Sequence, residues 1–197
     1  YKLRRKFMSH ADGLIHADLH TSNILASQDK MKIIDMEFAF MGPFGYDLGY
    51  LVGNLISQYC AACFKRFPSE QNRKQFKAYL LATIQSLIET YMKTFTLCWE
   101  RSVKERYRGQ QGLLQSILQE VMVDMPGYAS MVNWFRSVSD IPYPDFDVIE
   151  NKDAKRNATV LSLMIDWGIM FGRYKYQSAD DLIETIIGIE DEFRKSL

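Results

Sequence analysis

The sequence lacks an excess of charge of either sign. Lys plus Arg number 24, and Asp plus Glu also number 24. The chain therefore has no overall basic field that would favour nucleic acid or an acidic membrane surface. It also lacks an apolar run long enough to cross a membrane. The densest basic cluster, YKLRRK at positions 1–6, is interpreted as a solvated helix face rather than as a binding patch.

Cysteine is scarce as well. The three residues Cys60, Cys63 and Cys98 are an odd number and do not make a closed set of disulfides. Cys60 and Cys63 form a C-A-A-C pair, but no second CxxC follows, so a redox or metal role is only weakly indicated. A helix would place both on its buried face as free thiols. Such thiols fit a reducing compartment, and we expect a cytoplasmic protein.

Internal repeats, low-complexity tracts and linkers are also missing, and the apolar pattern predicts one α+β unit dominated by helices. Short β-like runs are predicted in 13–17, 23–27 and 31–36, with a turn at 27–30. The segment 40–47, which contains two glycines and a proline, is predicted to be a loop. Helical periodicity then continues through 48–59, 68–107, 113–125, 128–138, 153–176 and 179–195.

Several helix boundaries are also marked in the sequence. A long helix is expected to begin near Pro68 or Ser69, and glycines 109 and 112 are expected to break it. Another is expected to stop at Pro126-Gly127. The last helix carries Ser178 as its N-cap with Asp181 at the capping-box position. Residues 141–147, IPYPDFD, are predicted to be extended because proline restricts the residue before it.

Residues 14–40, LIHADLHTSNILASQDKMKIIDMEFAF, contain many polar and acidic side chains between short apolar runs. Asp18 follows one apolar strand, Asn23 comes five residues later, and Asp35 ends a later strand. This spacing places two carboxylates and an amide on neighbouring loop ends. Phosphoryl transfer needs one carboxylate to orient the attacking hydroxyl and hard oxygen ligands to hold Mg²⁺.

Other interpretations of these residues stay open at this point. A single Asp after a strand is commonly a turn former, and a single His is commonly structural. His16 and His20 with the nearby acids also suggest a zinc site. The two histidines, however, lie four apart in an apparent loop rather than on an H-E-x-x-H helix.

The stretch resembles the catalytic lobe of the protein-kinase-like fold, in the branch with aminoglycoside phosphotransferases and choline kinases. IHADLHTSN is similar to that branch's catalytic loop, and IIDMEF is similar to its metal-binding segment. Within the branch, DLHTSNI, DMEFAF and GPFGYDLGYLVGNLI resemble the methylthioribose kinase family. The resemblance is clear over residues 14–57 and faint over the helical remainder.

The resemblance implies roles for particular residues. Asp18 would be the catalytic base, Asn23 and Asp35 metal ligands, and Glu37 an assisting group at the metal or the phosphates. His16 and Asp47 would support the catalytic loop structurally. An ordinary N-cap explains Asp47 equally well.

The family grips its sugar with two adjacent arginines in the helical part. The matching pair here is Phe135-Arg136, so the resemblance implies that Arg136 binds the substrate. A surface or ion-pair role for Arg136 remains the alternative.

The family's activity would be ATP- and Mg²⁺-dependent phosphorylation of the 1-hydroxyl of 5-methylthioribose, in methionine salvage. The alternatives are a kinase of another sugar, a choline-like amino alcohol or an aminoglycoside, or a non-catalytic kinase-like binding domain. The sequence also leaves a homodimer open.

Residues 1–197 would be the C-terminal catalytic lobe, with the catalytic and metal-binding loops in 14–47 and a helical substrate-binding part in 48–197. No glycine-rich loop or strand-rich segment precedes Asp18, and position 1 is not Met. We therefore expect the N-terminal nucleotide-binding lobe to be missing. We also expect these 197 residues to be inactive alone.

Overall fold

The computed structural model describes residues 1–138 and 144–197 and has the predicted α+β, mostly helical architecture. A small β part near the start is followed by a bundle of long helices. The helices are α1 Lys2–Ser9, α2 Gly45–Phe64, α3 Glu70–Ser102, α4 Gln111–Val138, α5 Pro144–Asp147, α6 Lys152–Gly172 and α7 Ala179–Lys195. The strands are β1 Gly13–Ile15, β2 Ile24–Ala26, β3 Met31–Ile33 and β4 Phe40–Gly42.

The β part consists of two antiparallel pairs of three-residue strands. β2 pairs with β3 around the predicted turn, with Leu25 opposite Lys32. β1 pairs with β4, with Leu14 opposite Met41. The loop prediction for 40–47 was therefore wrong over β4, because pairing with a strand distant in sequence overrides the local glycine and proline signal.

The helical part is organised around α2, whose side chains are largely buried. α4 runs alongside it at very short range. A Cβ atom at Gly49 would lie 2.6 Å from the carbonyl oxygen of Met125, and one at Gly53 would lie 2.6 Å from that of Ala129. Only glycine allows two helix backbones to approach this closely. Glycine at these positions therefore sets the spacing between α2 and α4.

The same packing explains why α4 does not stop at Pro126. A proline in a helix interior removes one backbone hydrogen bond and costs about 3 kcal/mol. Here the helix continues through Pro126 to Val138, so the predicted break was wrong. Met125 and Ala129, on either side of the proline, are completely buried against the core, and this burial stabilises the continuous helix.

Other helix ends follow the predicted signals. Ser69 caps α3 by accepting a hydrogen bond from the backbone N–H of Asn72, and Ser178 and Asp181 form the predicted capping box. α3 ends at Ser102, before a separate 3-10 turn at 105–107. Gly109 breaks the chain there with φ +78°.

Two predictions need correction and two hold. Gly112 lies inside the first turn of α4 instead of breaking a helix. The extended prediction for 141–147 was wrong over α5, because proline is well tolerated at the first position of a helix; its residues 141–143 lie outside the described residues. Cys60 and Cys63 are buried free thiols as expected, whereas Cys98 is exposed. The basic face of α1 is solvent-exposed as expected, although Leu3 is buried and Lys6 pairs with α4.

A buried polar cluster crosses the bundle between α2, α4 and α6. The fully buried Asp166 accepts a hydrogen bond from Asn133 Nδ2 at 2.8 Å, and Asn133 also contacts Ser57 and Ser162. Among the described residues, Asp166 Oδ2 has no hydrogen-bond partner. Burial raises the pKa of Asp166 to about 8. The carboxyl group therefore stays protonated in the folded state at neutral pH.

This cluster predicts a pH-dependent stability. The pKa of Asp166 is about 8 when folded and about 4 when unfolded. Between these values the folded state binds the extra proton, so the free energy of unfolding falls as the pH rises from about 4 to about 8. Asp166→Asn keeps the acceptor for Asn133 and removes the titration. We expect the variant to be more stable than wild type at pH 8, by up to a few kcal/mol.

Urea denaturation of the wild-type and Asp166→Asn proteins at pH 5 and pH 8 checks this expectation. Glu184→Gln removes an exposed carboxylate from α7 and serves as the control with an unchanged pH dependence. Equal pH slopes in the wild-type and Asp166→Asn proteins would contradict the buried, protonated carboxyl group.

Candidate active site

The loop after β1, residues 16–23, is anchored from α2 by Asp47. This residue lies in the first turn of α2, whose N-cap is Phe44, so Asp47 is not the N-cap. Its carboxylate accepts hydrogen bonds from the backbone N–H groups of His16 at 2.6 Å and Ala17 at 2.9 Å. Ala17 has φ +68°, a left-handed conformation that costs a non-glycine residue energy. The charge-assisted bonds from Asp47 offset that cost.

His16 joins this loop to the segment after β3. The buried imidazole accepts a hydrogen bond from the backbone N–H of Asp18 at Nδ1, 3.3 Å away. Its other nitrogen, Nε2, lies 2.8 Å from the carbonyl oxygen of Ile34. This pairing requires the tautomer with the proton on Nε2. The imidazole ring of His16 thus connects the loop 16–23 to the segment that carries Asp35.

The zinc interpretation does not fit this geometry. Both ring nitrogens of His16 are already engaged in hydrogen bonds, so the ring has no lone pair to offer a metal ion. Within residues 1–138 and 144–197, no three His, Cys, Asp or Glu side chains are grouped so that they could hold a metal ion.

Asp18 presents a half-buried carboxylate beside two other polar side chains. His20 Nε2 lies 3.5 Å from Asp18 Oδ2, and Tyr50, on α2, adjoins the same carboxylate. Burial and the neighbouring Asp18 carboxylate raise the pKa of Tyr50 above its ordinary value. Tyr50 is therefore a neutral hydroxyl group beside the Asp18 carboxylate.

Asn23 and Asp35 belong to the same hydrogen-bonded unit. Asn23 is buried and donates from Nδ2 to the carbonyl oxygen of Asp18 at 3.0 Å. The backbone carbonyl oxygen of Asn23 accepts a hydrogen bond from the backbone N–H of Ile34 at 3.0 Å. Asp35 follows with φ +66°, a conformation that Asp tolerates better than most residues. The backbone thus ties Asp18, Asn23 and Asp35 into one local framework.

The donor set at this framework suits magnesium. The Nδ2 atom of Asn23 is engaged, so Oδ1 is the atom it can offer, and the carboxylates of Asp35 and Glu37 are exposed. Among the described residues, neither carboxylate forms an ion pair. A few hard oxygen ligands with room for water and phosphate oxygens are what Mg²⁺ prefers.

A cavity of about 370 Å³ opens between α2 and α4 next to Tyr50. Its walls are mainly aromatic and aliphatic and are formed by Tyr46, Tyr50, Tyr128, Met131, Val132, Phe135 and Arg136. Burial, followed by the negative charges of Asp47 and Asp18, raises the pKa of Tyr46 to about 12. Because Tyr50 lines this cavity and also adjoins the Asp18 carboxylate, the cavity lies next to Asp18.

Arg136 reaches this pocket from the last turn of α4, far from Asp18 in sequence. Its guanidinium donates to Asp145 Oδ2 from Nε at 2.9 Å and from Nη2 at 2.8 Å. The ion-pair alternative for Arg136 thus describes its contacts in the structure, while its position also places it in the pocket wall. The negative charge of Asp145 offsets the positive charge of the guanidinium.

Sequence reasoning missed three residues of this site. Tyr50 was treated only as part of a helix, and Asn54 and Asp145 were not considered. Asn54 carried a signal, because an amide among the mainly apolar buried residues of α2 needs buried partners.

Residues 2–88 match the model of the phosphotransferase enzyme family, APH, and these residues include every site residue predicted near Asp18. This part of the chain belongs to the phosphotransferase enzyme family. The fold is accordingly of the protein-kinase-like type.

Individual relatives match beyond residue 88. A methylthioribose kinase of Geobacillus thermodenitrificans is 31% identical over 189 residues, covering 96% of this chain and 45% of the relative. A methylthioribose kinase of Geobacillus sp. (strain WCH70) is 32% identical over 92% of this chain and 43% of the relative. That of Yersinia enterocolitica is 28% identical over 93% and 46%. The chain therefore spans less than half the length of these curated relatives.

The helices of the described residues include none that is both long and apolar enough to span a bilayer.

Proposed function

We propose that the full-length protein phosphorylates the 1-hydroxyl of 5-methylthioribose with ATP and Mg²⁺, a step of methionine salvage in the cytoplasm. The observation that carries the proposal is the cavity lined by Tyr46, Tyr50 and Arg136, called the acceptor pocket from here on. It lies beside Asp18, because Tyr50 adjoins both the pocket and the Asp18 carboxylate. The similarity to methylthioribose kinases over more than nine-tenths of the chain supports the choice of acceptor.

Asp18 is assigned the role of orienting the acceptor hydroxyl and accepting its proton. Tyr50 and His20 flank its carboxylate, which favours a single productive orientation. Asn23 and Asp35, assisted by Glu37, would hold Mg²⁺. When bound, the ion neutralises charge on the nucleotide phosphates. Asp47 and His16 keep the loop rigid through their backbone contacts.

The acceptor pocket suits a neutral sugar with an apolar substituent. Aromatic and methionine side chains offer contact area to a methylthio group. The hydroxyl of Tyr46 stays protonated because its pKa is raised, so it can donate to a sugar oxygen. An aminoglycoside carries several ammonium groups and would favour acidic partners, and none of the residues lining the pocket is acidic.

The nucleotide's second wall is proposed to come from outside these 197 residues. The surface of the β part exposes an unusual set of large apolar side chains, which a bound nucleotide and a second lobe would cover. They are Leu14, Leu25, Met31, Ile33, Ile34, Met36, Phe38 and Met41. For this reason the activity is assigned to the full-length protein and not to this chain alone.

The proposed function is tested by screening the purified full-length protein for ATP consumption with methylthioribose, choline, homoserine and an aminoglycoside. We expect kcat/KM to be highest for methylthioribose. A clear preference for any of the other three acceptors would defeat the substrate assignment while leaving Asp18 as the candidate base.

The role of Arg136 is tested with Arg136→Lys. Lysine keeps a positive charge for Asp145 but loses the planar fork of donors that suits neighbouring sugar hydroxyls. We expect the KM for methylthioribose to rise about 10- to 100-fold, with the KM for ATP nearly unchanged. Arg156→Lys, the same change at an exposed site on α6, is the control. An unchanged acceptor KM in Arg136→Lys would restrict Arg136 to its ion pair.

A further inference from the structure

Asn54 is a completely buried amide in the middle of α2. A buried amide is costly unless its donors and acceptor are paired. Its Oδ1 accepts two hydrogen bonds from Thr21, one from the backbone N–H at 3.0 Å and one from Oγ1 at 2.7 Å. Its Nδ2 lies 3.5 Å from Asp145 Oδ2, on the opposite side. Asn54 therefore connects Thr21, which lies 33 residues before it in the sequence, with Asp145, which lies 91 residues after it.

The first of these segments is the catalytic loop itself. Thr21 stands between Asp18 and Asn23 and begins the 3-10 turn 21–23. Asp47 fixes the start of the loop through His16 and Ala17. Asn54 holds its middle from two turns further along the same helix, so the two contacts together define the loop's position on α2.

The second segment is α5, which controls Arg136. Asp145 is only 5% exposed and accepts from both Nε and Nη2 of Arg136. Gln58, one turn after Asn54 on α2, hydrogen bonds to its other oxygen. The Asp145 carboxylate is fixed in one orientation by these partners. Through its two hydrogen bonds to Arg136 it also fixes the position of the guanidinium in the pocket wall.

We propose that Asn54 and Asp145 are positioning residues that couple the loop carrying Asp18 to Arg136. The proposal rests on the proposed function, in which Asp18 and Arg136 act on one acceptor. Neither Asn54 nor Asp145 lines the acceptor pocket. Their contacts fix the separation between the group that receives the proton and the group that grips the sugar. Misplacing either group by a fraction of an ångström is costly in phosphoryl transfer.

The coupling can be measured without activity, through hydrogen exchange in the full-length protein. Asp145→Asn keeps the side-chain volume but weakens the hold on Asn54 and Arg136. If the two ends are coupled, amide exchange in a peptide covering residues 16–23 should become about threefold faster or more, although Asp145 does not contact that loop. Ser57→Ala, a buried α2 change within the separate Asn133 cluster, should leave exchange in this peptide unchanged.

Kinetics supply the second readout. Asn54→Asp retains an acceptor for Thr21 but puts a second carboxylate against Asp145. We expect each of the variants Asn54→Asp and Asp145→Asn to lower kcat about tenfold and to raise the KM for the acceptor about tenfold. The KM for ATP should stay within about twofold of the wild-type value. Because both act through one contact, their combined effect should be smaller than the product of the single effects. Ser57→Ala should lower the melting temperature without changing either constant.

Thr21→Val provides a variant with little risk to folding, because Thr21 is exposed. It removes the hydroxyl donor to Asn54 and should lower kcat by about threefold or more. Unchanged loop exchange in Asp145→Asn, or unchanged kcat in Thr21→Val, would overturn the coupling. Faster loop exchange in a protein that does not phosphorylate methylthioribose would instead support the coupling and defeat only the proposed function.

Discussion

Asp18→Asn in the full-length protein is expected to reduce kcat by about 10² to 10⁴, which is the usual contribution of a general base. Asparagine has nearly the same size as aspartate, so it preserves the packing beside Tyr50 and His20. It cannot accept the proton of the acceptor hydroxyl. Steady-state kinetics with methylthioribose gives kcat, and titration calorimetry should show an ATP affinity close to that of wild type.

The control for this result is Asp29→Asn, which removes an exposed carboxylate from the turn between β2 and β3. It should leave kcat unchanged, because the turn shares no hydrogen bond with the 16–23 loop. A kcat for Asp18→Asn within about threefold of the wild-type value would remove Asp18 from the role of base.

The second large effect is expected at Asp35. Asp35→Ala removes a hard oxygen ligand from an ion that takes few from the protein. We expect Mg²⁺-dependent binding of ATP to be abolished, whereas the weak binding of metal-free ATP should be unchanged. Calorimetric titrations of ATP with and without Mg²⁺ provide the measurement.

Backbone strain at Asp35 calls for a companion variant. The residue has φ +66°, and alanine is less tolerant of this conformation than aspartate or asparagine. Asp35→Asn keeps the backbone preference and one ligand oxygen but loses the charge, and should therefore bind Mg²⁺–ATP with intermediate affinity. If ATP affinity depended on Mg²⁺ equally in wild type and both variants, Asp35 would not be a ligand.

Much of the architecture could be predicted because it rests on local signals. The caps at Ser69 and Ser178 and the helical period after Asp47 depend on a few neighbouring residues. Pro126 and β4 were misjudged because long-range packing decides them. A proline is a strong local signal, but burial along α2 stabilises the helix through it, and β4 is a strand only because β1 lies beside it.

The site divides in the same way. Asp18, Asn23 and Asp35 lie within 18 positions of one another, so a short motif reveals them together. The Thr21–Asn54 contact joins residues 33 apart and the Asn54–Asp145 contact joins residues 91 apart. No periodicity in the sequence encodes such pairings. The pairing of Arg136 with Asp145 therefore could not be predicted from the sequence, because it depends on how α5 packs against α2.

The close approach of α2 and α4 has a consequence for the evolution of acceptor preference. Tyr46 and Tyr50 stand on α2, and Tyr128, Met131 and Arg136 stand on α4. The width of the pocket consequently depends on the distance between the axes of α2 and α4. Gly49 and Gly53 keep this distance short because they let the two helix backbones touch. One added methyl group at either glycine would widen the slit along its whole length. Under the proposed function, substitutions at Gly49 or Gly53 would therefore change acceptor preference from positions outside the pocket lining.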